Sequence, residues 1–356
     1  MSTVNNGPQI VRNGLVLNLD ASSVTSYSAI SVYKVECYST FGGGLRSANY
    51  TVQYSDDNST WTTAFTGVMS NNSSCGIIAG TNRNDSNYSK HRYWRYVEGG
   101  AVVGHHPRVS RIDFITKSGA VYNLITYTTD NCADSGTYIV GTVSKDFGTT
   151  TWRDTSGNSN NGTFGASTAE PTYSNQNGGS LVFDGSNDYI SITNNSTLRP
   201  TSELTIEYII KGTTPSGWCP IIGYGNGDYT NGNYLCWVET GGALQSLCRI
   251  NNGGVIEYRQ YSGIGISTTT LKYMSFTMRI GDSIKSYYNG VNTNTPTNLP
   301  AGGSFYYGGT SSPYQIVGLG GAWLNGSILF FRLYNRALTA TEVSQNYEAT
   351  KTRFGL

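Results

Sequence analysis

The sequence is poor in charged residues and in histidine. Only 13% of its 356 residues are Asp, Glu, Lys or Arg, and the formal net charge is +1. A nucleic-acid-binding domain presents a concentrated basic surface, so this balance argues against nucleic acid as a partner. The chain has three histidines and six cysteines. The cysteines lack Cys-x-x-Cys spacing, which argues against a zinc site and favours buried free thiols.

Long apolar runs are absent as well. No stretch approaches the roughly 20 apolar residues that a membrane-spanning helix needs. The first residues, MSTVNNGPQIVRNG, lack the basic-then-apolar pattern of a secretory signal. We therefore expect that the protein is made in the cytoplasm and does not insert into a membrane. If it acts outside the cell, we expect it to leave by a route other than a cleaved secretory signal.

Glycine and tyrosine are abundant, with 44 and 27 copies, beside many Asn, Ser and Thr residues. Glycine and asparagine favour turns, whereas Tyr and Thr favour half-buried strands, so the composition predicts an all-β fold. Residues 14–20 are typical of an opening strand, and apolar–polar alternation marks strands at 50–55, 110–115 and 204–210, among others. Short strands separated by turn residues are typical of sandwiches and jelly rolls.

One helix is predicted, at the C-terminus. Thr339 and Glu342 have the spacing of a capping box, in which each side chain bonds the other residue's backbone amide. Val343, Tyr347 and Thr350 then fall on one helical face. We expect this short helix to pack on a sheet.

Four segments resemble the laminin-G-like, concanavalin A-like lectin domains. They are GLVLNLDAS (14–22), TWRDTSGNSNNGT (151–163), GGSLVFDGSNDYISI (178–192) and NGSILFFRLYNRALTATEV (325–343). Such domains are frequent in structural and fibre proteins of tailed bacteriophages. The resemblance implies a concanavalin A-like jelly-roll sandwich and a virion structural protein, as a capsid decoration, neck or tail-fibre component.

A second resemblance explains why the first two segments lie far apart. Residues 27–147 contain SANYTVQYSDDNSTW and RYWR, which are similar to discoidin (factor V/VIII C-type, galactose-binding-like) domains. We predict a β-sandwich at 27–147, inserted after the first strand of a discontinuous host domain at 1–26 and 148–356. Insertion into a surface loop costs little, because closure entropy grows slowly with loop length. The first and last host strands, 15–19 and 328–333, are then expected to pair.

The segment LVFDGSNDYISI (181–192) has two interpretations. Asp184, Asn187 and Asp188 are hard oxygen ligands of the kind calcium prefers. The same residues with Gly185 also suit the tip of a hairpin, where Asp and Asn bond the backbone and glycine takes a positive φ. Asp154 has the same ambiguity. The sequence leaves a calcium role possible but requires no cofactor.

Glycan binding is the chemistry that the sequence favours. Sugar rings stack on aromatic side chains, while amides and carboxylates bond their hydroxyls. A glycine-rich stretch from 218 to 237 concentrates such groups, and the end loop of the inserted domain adds two histidines. The candidates are Trp218, Tyr224, Asn226, Asp228, Tyr229, Asn231, Tyr234, His105 and His106. The alternative for each aromatic residue is a place in the sandwich core or on an exposed sheet face, and for the two histidines it is an ordinary exposed turn.

An enzyme has the least support. A glycosidase needs two carboxyl groups about 5–9.5 Å apart. Glu203 and Glu207 are the best pair, but Glu203 is expected at a strand edge and Glu207 on a solvent-facing side. We therefore predict a non-enzymatic protein, with a polysaccharide-degrading enzyme as the weakest alternative.

The combined expectation is a phage virion structural protein that acts outside the cell. Its expected partners are other virion proteins, further copies of itself and, through its loops, cell-surface glycans. A soluble carbohydrate-binding module or adhesin is the alternative. Detection in purified particles separates the two.

Overall fold

The structure of the protein is a computed structural model. It describes residues 9–21, 32–39, 48–55, 60–69, 76–82, 91, 93–101, 111–117, 119, 121–126, 142–146, 150–174, 176–224, 233–307, 313–318 and 322–356.

The described residues are predominantly β, as predicted, with one α-helix near the C-terminus. The helix is α1 (Ala340–Phe354), and short 3-10 turns occupy Ser167–Ala169, Gln176–Gly178 and Ser196–Leu198. The strands in chain order are β1 (Leu15–Asp20), β2 (Val32–Ser39), β3 (Ala48–Ser55), β4 (Thr62–Met69), β5 (Gly76–Asn82), β6 (Tyr93–Ala101), β7 (Arg111–Thr116), β8 (Val121–Thr126), β9 (Thr142–Asp146), β10 (Thr151–Trp152), β11 (Gly162–Phe164), β12 (Thr172–Ser174), β13 (Ser180–Asp184), β14 (Ile190–Ile192), β15 (Glu203–Gly212), β16 (Cys219–Tyr224), β17 (Asn233–Val238), β18 (Ala243–Asn251), β19 (Val255–Gly265), β20 (Lys272–Arg279), β21 (Ser283–Tyr288), β22 (Val291–Asn292), β23 (Thr297–Asn298), β24 (Ser304–Phe305), β25 (Tyr314–Ile316) and β26 (Asn325–Tyr334).

The chain divides into two compact units. The large unit comprises Met1–Tyr27 and Thr150–Leu356, and the small unit comprises Ser28–Thr149. In sequence, the small unit therefore lies between the two segments of the large one.

The large unit contains two antiparallel sheets. Sheet 1 has the order β12-β13-β26-β15-β20-β21-β22, with β1 also pairing β26 and β23 pairing β21. Sheet 2 has the order β10-β11-β14-β25-β16-β17-β18-β19, with β24 pairing β18. Gln260 of sheet 2 donates from Nε2 to Ser286 Oγ of sheet 1 at 3.3 Å, which shows that these faces meet in the sandwich interior.

The predicted pairing of the first and last strands is confirmed. Strand β1 runs antiparallel to β26, with Leu17 opposite Leu333 and Leu19 opposite Phe331. All four side chains are at most 1% exposed. This pairing places residues more than 300 positions apart in one sheet.

The predicted hairpin at LVFDGSNDYISI is wrong. Strand β13 pairs with β12 and β26 in sheet 1, whereas β14 pairs with β11 and β25 in sheet 2. Residues 185–189 therefore carry the chain from one sheet to the other. The alternation of apolar residues marks both strands but does not indicate which sheet each one joins.

The C-terminal helix begins as predicted. Thr339 Oγ1 accepts from the Glu342 amide, the Glu342 side chain accepts from the Thr339 amide, and Gly355 ends the helix in the left-handed conformation with φ 71°. The helix packs on the outer face of sheet 1, where Phe354 contacts Phe330 with ring centres 5.9 Å apart.

The small unit is a sandwich of two four-stranded antiparallel sheets, with orders β5-β2-β7-β8 and β4-β3-β6-β9. Its core takes residues from both sheets, among them Val35, Phe114, Val52, Trp94 and Tyr96. The discoidin-like identity of this unit stays a prediction.

Candidate functional site

An aromatic and cationic cluster lies on the outer face of sheet 2. Trp218 immediately precedes β16, Trp237 lies in β17 and Arg259 lies in β19. The two indole rings are stacked, with centroids 5.7 Å apart and planes 3° from parallel. The Arg259 guanidinium carbon lies 4.8 Å from the Trp218 ring centre and 5.6 Å from that of Trp237. We call these three residues the tryptophan–arginine cluster.

Strand alternation places the cluster on this face. Cys236 Sγ and Ser246 Oγ are 3.8 Å apart in the buried sandwich interior, so the neighbouring residues of the same strands face outward. Cross-strand register then brings Trp237 opposite Gln245, and Gln245 opposite Tyr261. Tyr261 is 47% exposed and continues the aromatic surface beyond the cluster.

Charge on this face is partly compensated. Glu257 Oε1 accepts from Arg259 Nε at 2.6 Å, and its Oε2 lies 3.3 Å from Arg249 Nη2. One carboxylate thus serves two guanidinium groups, which leaves this trio with one excess positive charge. The Arg259 side chain is 34% exposed, so its charge is accessible from solvent.

Polar atoms beneath the cluster lack partners. Trp237 Nε1 and Gln245 Oε1 are buried and make no hydrogen bond with the described residues. Gln245 donates from Nε2 to Glu239 Oε2. Buried polar groups are nearly always satisfied in a stable core, and exceptions coincide with ordered water or with functional positions. The floor of the cluster therefore has hydrogen-bonding capacity that the described protein groups leave unmet.

Of the predicted glycan candidates, only Trp218 and Tyr224 have described side chains, and these two lie apart. Trp218 belongs to the cluster, but Tyr224 lies at the other end of β16, about 20 Å away for six strand residues. Tyr224 is 1% exposed, and its hydroxyl accepts from Asn194 Nδ2 at 2.9 Å, so it is a core residue rather than a ligand contact. Tyr234 lies in strand β17, and only its backbone is described. The remaining candidates lie outside the described residues: Asn226, Asp228, Tyr229, Asn231, His105 and His106.

The calcium candidates form a backbone-bonded turn. Asp184 Oδ1 accepts from the amides of Ser186 at 2.8 Å and Asn187 at 3.3 Å, while Gly185 has φ +81°. Asp188 Oδ2 accepts from the Asp184 amide at 2.8 Å. These are the side-chain-to-backbone bonds predicted for a turn. Within the described part of the chain, no three His, Cys, Asp or Glu residues group as a metal site. The calcium role remains a hypothesis.

Asp188 is nevertheless unusual in its electrostatics. It is 4% exposed, and burial raises the pKa of its carboxyl group to about 6. The nearby carboxylates of Asp184 and Glu170 act in the same direction, while the hydrogen bond from the Asp184 amide opposes them.

Asp154 also organises a loop. Its Oδ1 accepts from the Asn18 and Ser156 amides at 2.9 and 2.8 Å. Its Oδ2 accepts from the Asn160 amide at 2.9 Å and from the Ser156 hydroxyl at 2.8 Å. This carboxylate therefore ties residues 154–160 to strand β1.

The predicted solvent exposure of Glu207 is wrong. Its side chain is fully buried under helix α1, where Oε1 accepts from Ser275 Oγ at 3.1 Å and Oε2 accepts from Asn346 Nδ2 at 2.9 Å. Arg332 Nη1 lies 3.6 Å from Oε2. Burial raises the pKa of Glu207, while Arg332 and the hydrogen bonds oppose this effect. Glu203 bonds Arg279 at 2.9 Å at the start of the strand. Both carboxylates therefore have structural partners.

Of the cluster, only Trp218 is among the residues predicted from the sequence. Trp237 ends the 218–237 stretch but is not one of the predicted candidates, and neither are Arg259 and Gln245. The only available signal was the period-2 pattern of β17 to β19, which puts these side chains on one face. Their proximity depends on the register between strands.

Cys37, Cys219, Cys236 and Cys248 are buried free thiols. Burial raises the pKa of Cys219 and of Cys248 to about 12. None of the helices in the described ranges is both long and apolar enough to cross a bilayer.

Comparison with known proteins identifies the fold of the large unit. Residues 184–344 match the family model described as the concanavalin A-like lectin/glucanases superfamily. This match runs from the end of β13 into helix α1, so the large unit contains a concanavalin A-like jelly roll, as predicted. Among curated proteins, no sequence matches the chain.

Many solved structures, among them the following three, are similar over part of the chain. The binding domain of Paraclostridial Mosquitocidal Protein 1 is 17% identical with TM-score 0.41, over 55% of this chain and 48% of that one. Domain 4 of an extracellular arabinanase from Geobacillus stearothermophilus, solved with arabinotriose, is 19% identical with TM-score 0.40, over 55% and 91%. The botulinum neurotoxin serotype D ligand-binding domain, solved with N-acetylneuraminic acid, is 13% identical with TM-score 0.40, over 56% and 48%. The chain spans about half the length of the mosquitocidal and neurotoxin domains.

Proposed function

We propose that the protein binds carbohydrate through the tryptophan–arginine cluster of sheet 2, and the match of residues 184–344 to the concanavalin A-like lectin/glucanases superfamily model supports this proposal. The observation that carries the proposal is the stacking of Trp218 on Trp237 beneath the Arg259 guanidinium. In the proposed complex, a sugar ring stacks on this surface and its hydroxyls bond the neighbouring polar groups.

Rigidity supports this role. Trp237 is 1% exposed and fixed in strand β17, so it holds the half-buried Trp218 ring in one orientation. The ion pair with Glu257 holds Arg259 above the rings. A surface that is ordered before binding loses little entropy when a ligand docks. Tyr261, which is 47% exposed, extends the same face with an aromatic ring.

The biological setting is the second part of the proposal. We infer a non-enzymatic structural component of a tailed-phage particle that contacts cell-surface glycans. Support for the particle comes from the four segments that resemble laminin-G-like phage proteins. The carboxylates Glu203 and Glu207 support a non-enzymatic role, because their oxygens already bond Arg279, Ser275 and Asn346.

The test of glycan binding is Trp218→Ala on a glycan array. We expect the variant to lose about tenfold to thirtyfold in affinity for any glycan that the wild-type protein retains, because a central aromatic contact commonly contributes about 2 kcal/mol. The matched control is Trp61→Ala. Trp61 also carries a guanidinium over its ring, that of Arg95 at 4.1 Å, but belongs to the small unit.

Two results would contradict this assignment. Equal binding by wild type and Trp218→Ala would remove the cluster from the site, and a loss confined to Trp61→Ala would move the site to the small unit. Urea unfolding of both variants shows whether any loss reflects folding. Repeating the array with a chelator tests the calcium hypothesis for Asp184, Asn187 and Asp188.

The particle is tested separately by mass spectrometry of purified virions. Stoichiometric presence of the chain supports a structural component. Its absence, combined with retained glycan binding, favours a soluble carbohydrate-binding module or adhesin.

A further inference from the structure

We propose that a polar cleft beside strands β11 and β14, towards the opposite edge of sheet 2, is a second binding site, for a neutral sugar residue. The cleft lies between the loop at 153–161 and residues 193–195 and has a volume of about 290 Å³. Its described lining residues are Ser159, Asn160, Asn161, Thr163, Thr193, Asn194 and Asn195. Small-molecule pockets commonly measure about 300–1,000 Å³, so this cleft suits one small ligand.

The cleft is separate from the tryptophan–arginine cluster. Strand β11, which carries Thr163, is four strands from β17, which carries Trp237, in the order of sheet 2. At about 4.8 Å between neighbouring strands, this separation is about 19 Å. A single sugar residue cannot span it, so the two sites are independent.

The floor of the cleft is fixed by internal hydrogen bonds. Asn160 is 4% exposed and donates from Nδ2 to the Val16 carbonyl at 2.8 Å and to Thr197 Oγ1 at 3.0 Å. Its Oδ1 accepts from Asn195 Nδ2 at 3.1 Å. Every polar atom of the Asn160 side chain is thus engaged, and the floor keeps its shape when the ligand is absent.

The rim, in contrast, has free hydrogen-bonding groups. The hydroxyls of Ser159, Thr163 and Thr193 make no hydrogen bond with described residues, and neither does Asn161 Nδ2. Asn161 Oδ1 accepts from the Asp154 amide at 2.9 Å, which fixes the direction of its free amide group. Residues that line the cleft on its two sides therefore carry three hydroxyls and one amide without a partner among the described residues.

The backbone at Ser159 is strained. Its φ is +60°, in the left-handed region that non-glycine residues seldom adopt. Such conformations persist where the surrounding structure enforces them, and they concentrate at ligand sites. The bond from the Asn160 amide to the Asp154 carboxylate supplies the enforcement here. A glycine at this position would relieve the strain but would lack the hydroxyl that Ser159 carries.

The chemistry of the lining selects the class of ligand. The described lining side chains are all hydroxyls or amides, which donate to and accept from sugar hydroxyls. They carry no charge, so an ionic ligand would lose hydration in the cleft without gaining a counterion there. The cleft is therefore matched to a neutral hexose or N-acetylhexosamine residue.

The test uses glucose, galactose, mannose and N-acetylglucosamine as probes, with glucuronic acid as the charged comparison, in saturation-transfer NMR and calorimetry on the full chain. We expect binding of at least one neutral sugar. The double variant Thr163→Val, Thr193→Val should weaken it about tenfold or more, since each lost hydrogen bond costs roughly threefold to tenfold. The exposed strand pair Thr62→Val, Thr66→Val in the small unit is the matched control.

A second variant separates binding from folding. Ser159→Gly removes a rim hydroxyl and releases the strained φ, so it should raise resistance to urea while weakening sugar binding. Loss of binding in a protein that has become more stable cannot be attributed to unfolding.

Several outcomes would overturn the second site. They are no binding of the four neutral sugars, preference for glucuronic acid, or unchanged binding in the threonine double variant. Loss of neutral-sugar binding in Trp218→Ala would place the sugar at the cluster instead. A different result would separate the two proposals. If sugar binding depends on Thr163 and Thr193, and if Trp218→Ala binds the glycan array as wild type does, the cleft is supported and only the proposed role of the tryptophan–arginine cluster is refuted.

Discussion

The two sheets of the large unit each carry a glutamate–arginine pair beside aromatic rings on their outer faces, with opposite degrees of burial. On sheet 1, Glu207 and Arg332 are 0% and 2% exposed beneath helix α1. On sheet 2, Glu257 and Arg259 are 28% and 34% exposed. Similar residue types thus occupy equivalent faces of one sandwich in different environments.

The difference shows how a covering element decides what a charged pair does. Helix α1 removes water from Glu207 and Arg332, so each must be satisfied by protein, and Asn346 of the helix supplies one of those bonds. A buried pair of this kind is costly to break. The Arg259 pair keeps part of its hydration, contributes little to stability and remains available to a ligand.

The largest expected effect is on sheet 1. Glu207→Ala leaves Arg332 buried without its carboxylate, so the free energy of unfolding should fall by about 3–5 kcal/mol, measured by urea denaturation. Glycan binding by the folded variant should not change. The control is Glu203→Ala in the same strand, whose partly exposed pair with Arg279 should contribute about 1 kcal/mol or less.

Equal losses in these two variants would mean that the helix does not seal Glu207. A large loss of glycan affinity in folded Glu207→Ala would mean that the two faces are functionally coupled. Either result would break the proposed division between a structural sheet and a binding sheet.

The second effect is on sheet 2, and it is a loss of glycan affinity rather than a loss of stability. Arg259→Met keeps an apolar side chain over Trp218 but removes the charge. Affinity for a retained glycan should fall about fivefold to tenfold, because the cation–π contact and the charged hydrogen-bond donor are lost. Stability should change by less than about 1 kcal/mol.

Calorimetry and urea unfolding of the same preparation check both expectations. Arg95→Met, which removes the guanidinium over Trp61 in the small unit, is the control. If Arg259→Met lowered stability by several kcal/mol and left binding intact, sheet 2 would be structural as well.

The sequence predicts the framework of this comparison but not its outcome. The alternation Leu204, Ile206, Tyr208 correctly indicates that Glu207 points away from the sandwich interior. That face is normally solvated in an antiparallel sheet. Its burial depends on where helix α1 docks, and the capping box at Thr339 predicts that the helix exists without predicting its position.

The tryptophan–arginine cluster on sheet 2 cannot be predicted from the sequence for a related reason. Trp218, Trp237 and Arg259 come from three segments, and only the register of β16 to β19 brings them together. Side-chain period shows which residues share a face of one strand, but neighbours on adjacent strands require the pairing itself. The same limit explains the wrong hairpin at 181–192, whose two strands were correctly predicted and wrongly paired.

The third effect concerns the connection between the sheets. Burial raises the pKa of Asp188 to about 6, so the folded protein holds this proton more tightly than the unfolded chain, where the pKa is near 3.8. The resulting contribution to stability is fully present below about pH 4 and is lost as pH rises through about 6. Asp188→Asn keeps an acceptor for the Asp184 amide and carries no charge. The variant should therefore gain stability relative to wild type as pH rises from about 4 to about 7.

Urea unfolding of both proteins at several pH values in this range measures the difference directly. Other carboxylates cancel in it, including Glu342, whose pKa the Arg336 hydrogen bonds lower to about 2. Parallel stability curves would show that Asp188 titrates normally. Added calcium sharpens the test, since a ligand that binds only the folded state raises stability. If Asp188 is a calcium ligand, calcium should stabilise wild type at pH 7 and not Asp188→Asn. If the turn only links the two sheets, calcium should shift neither curve.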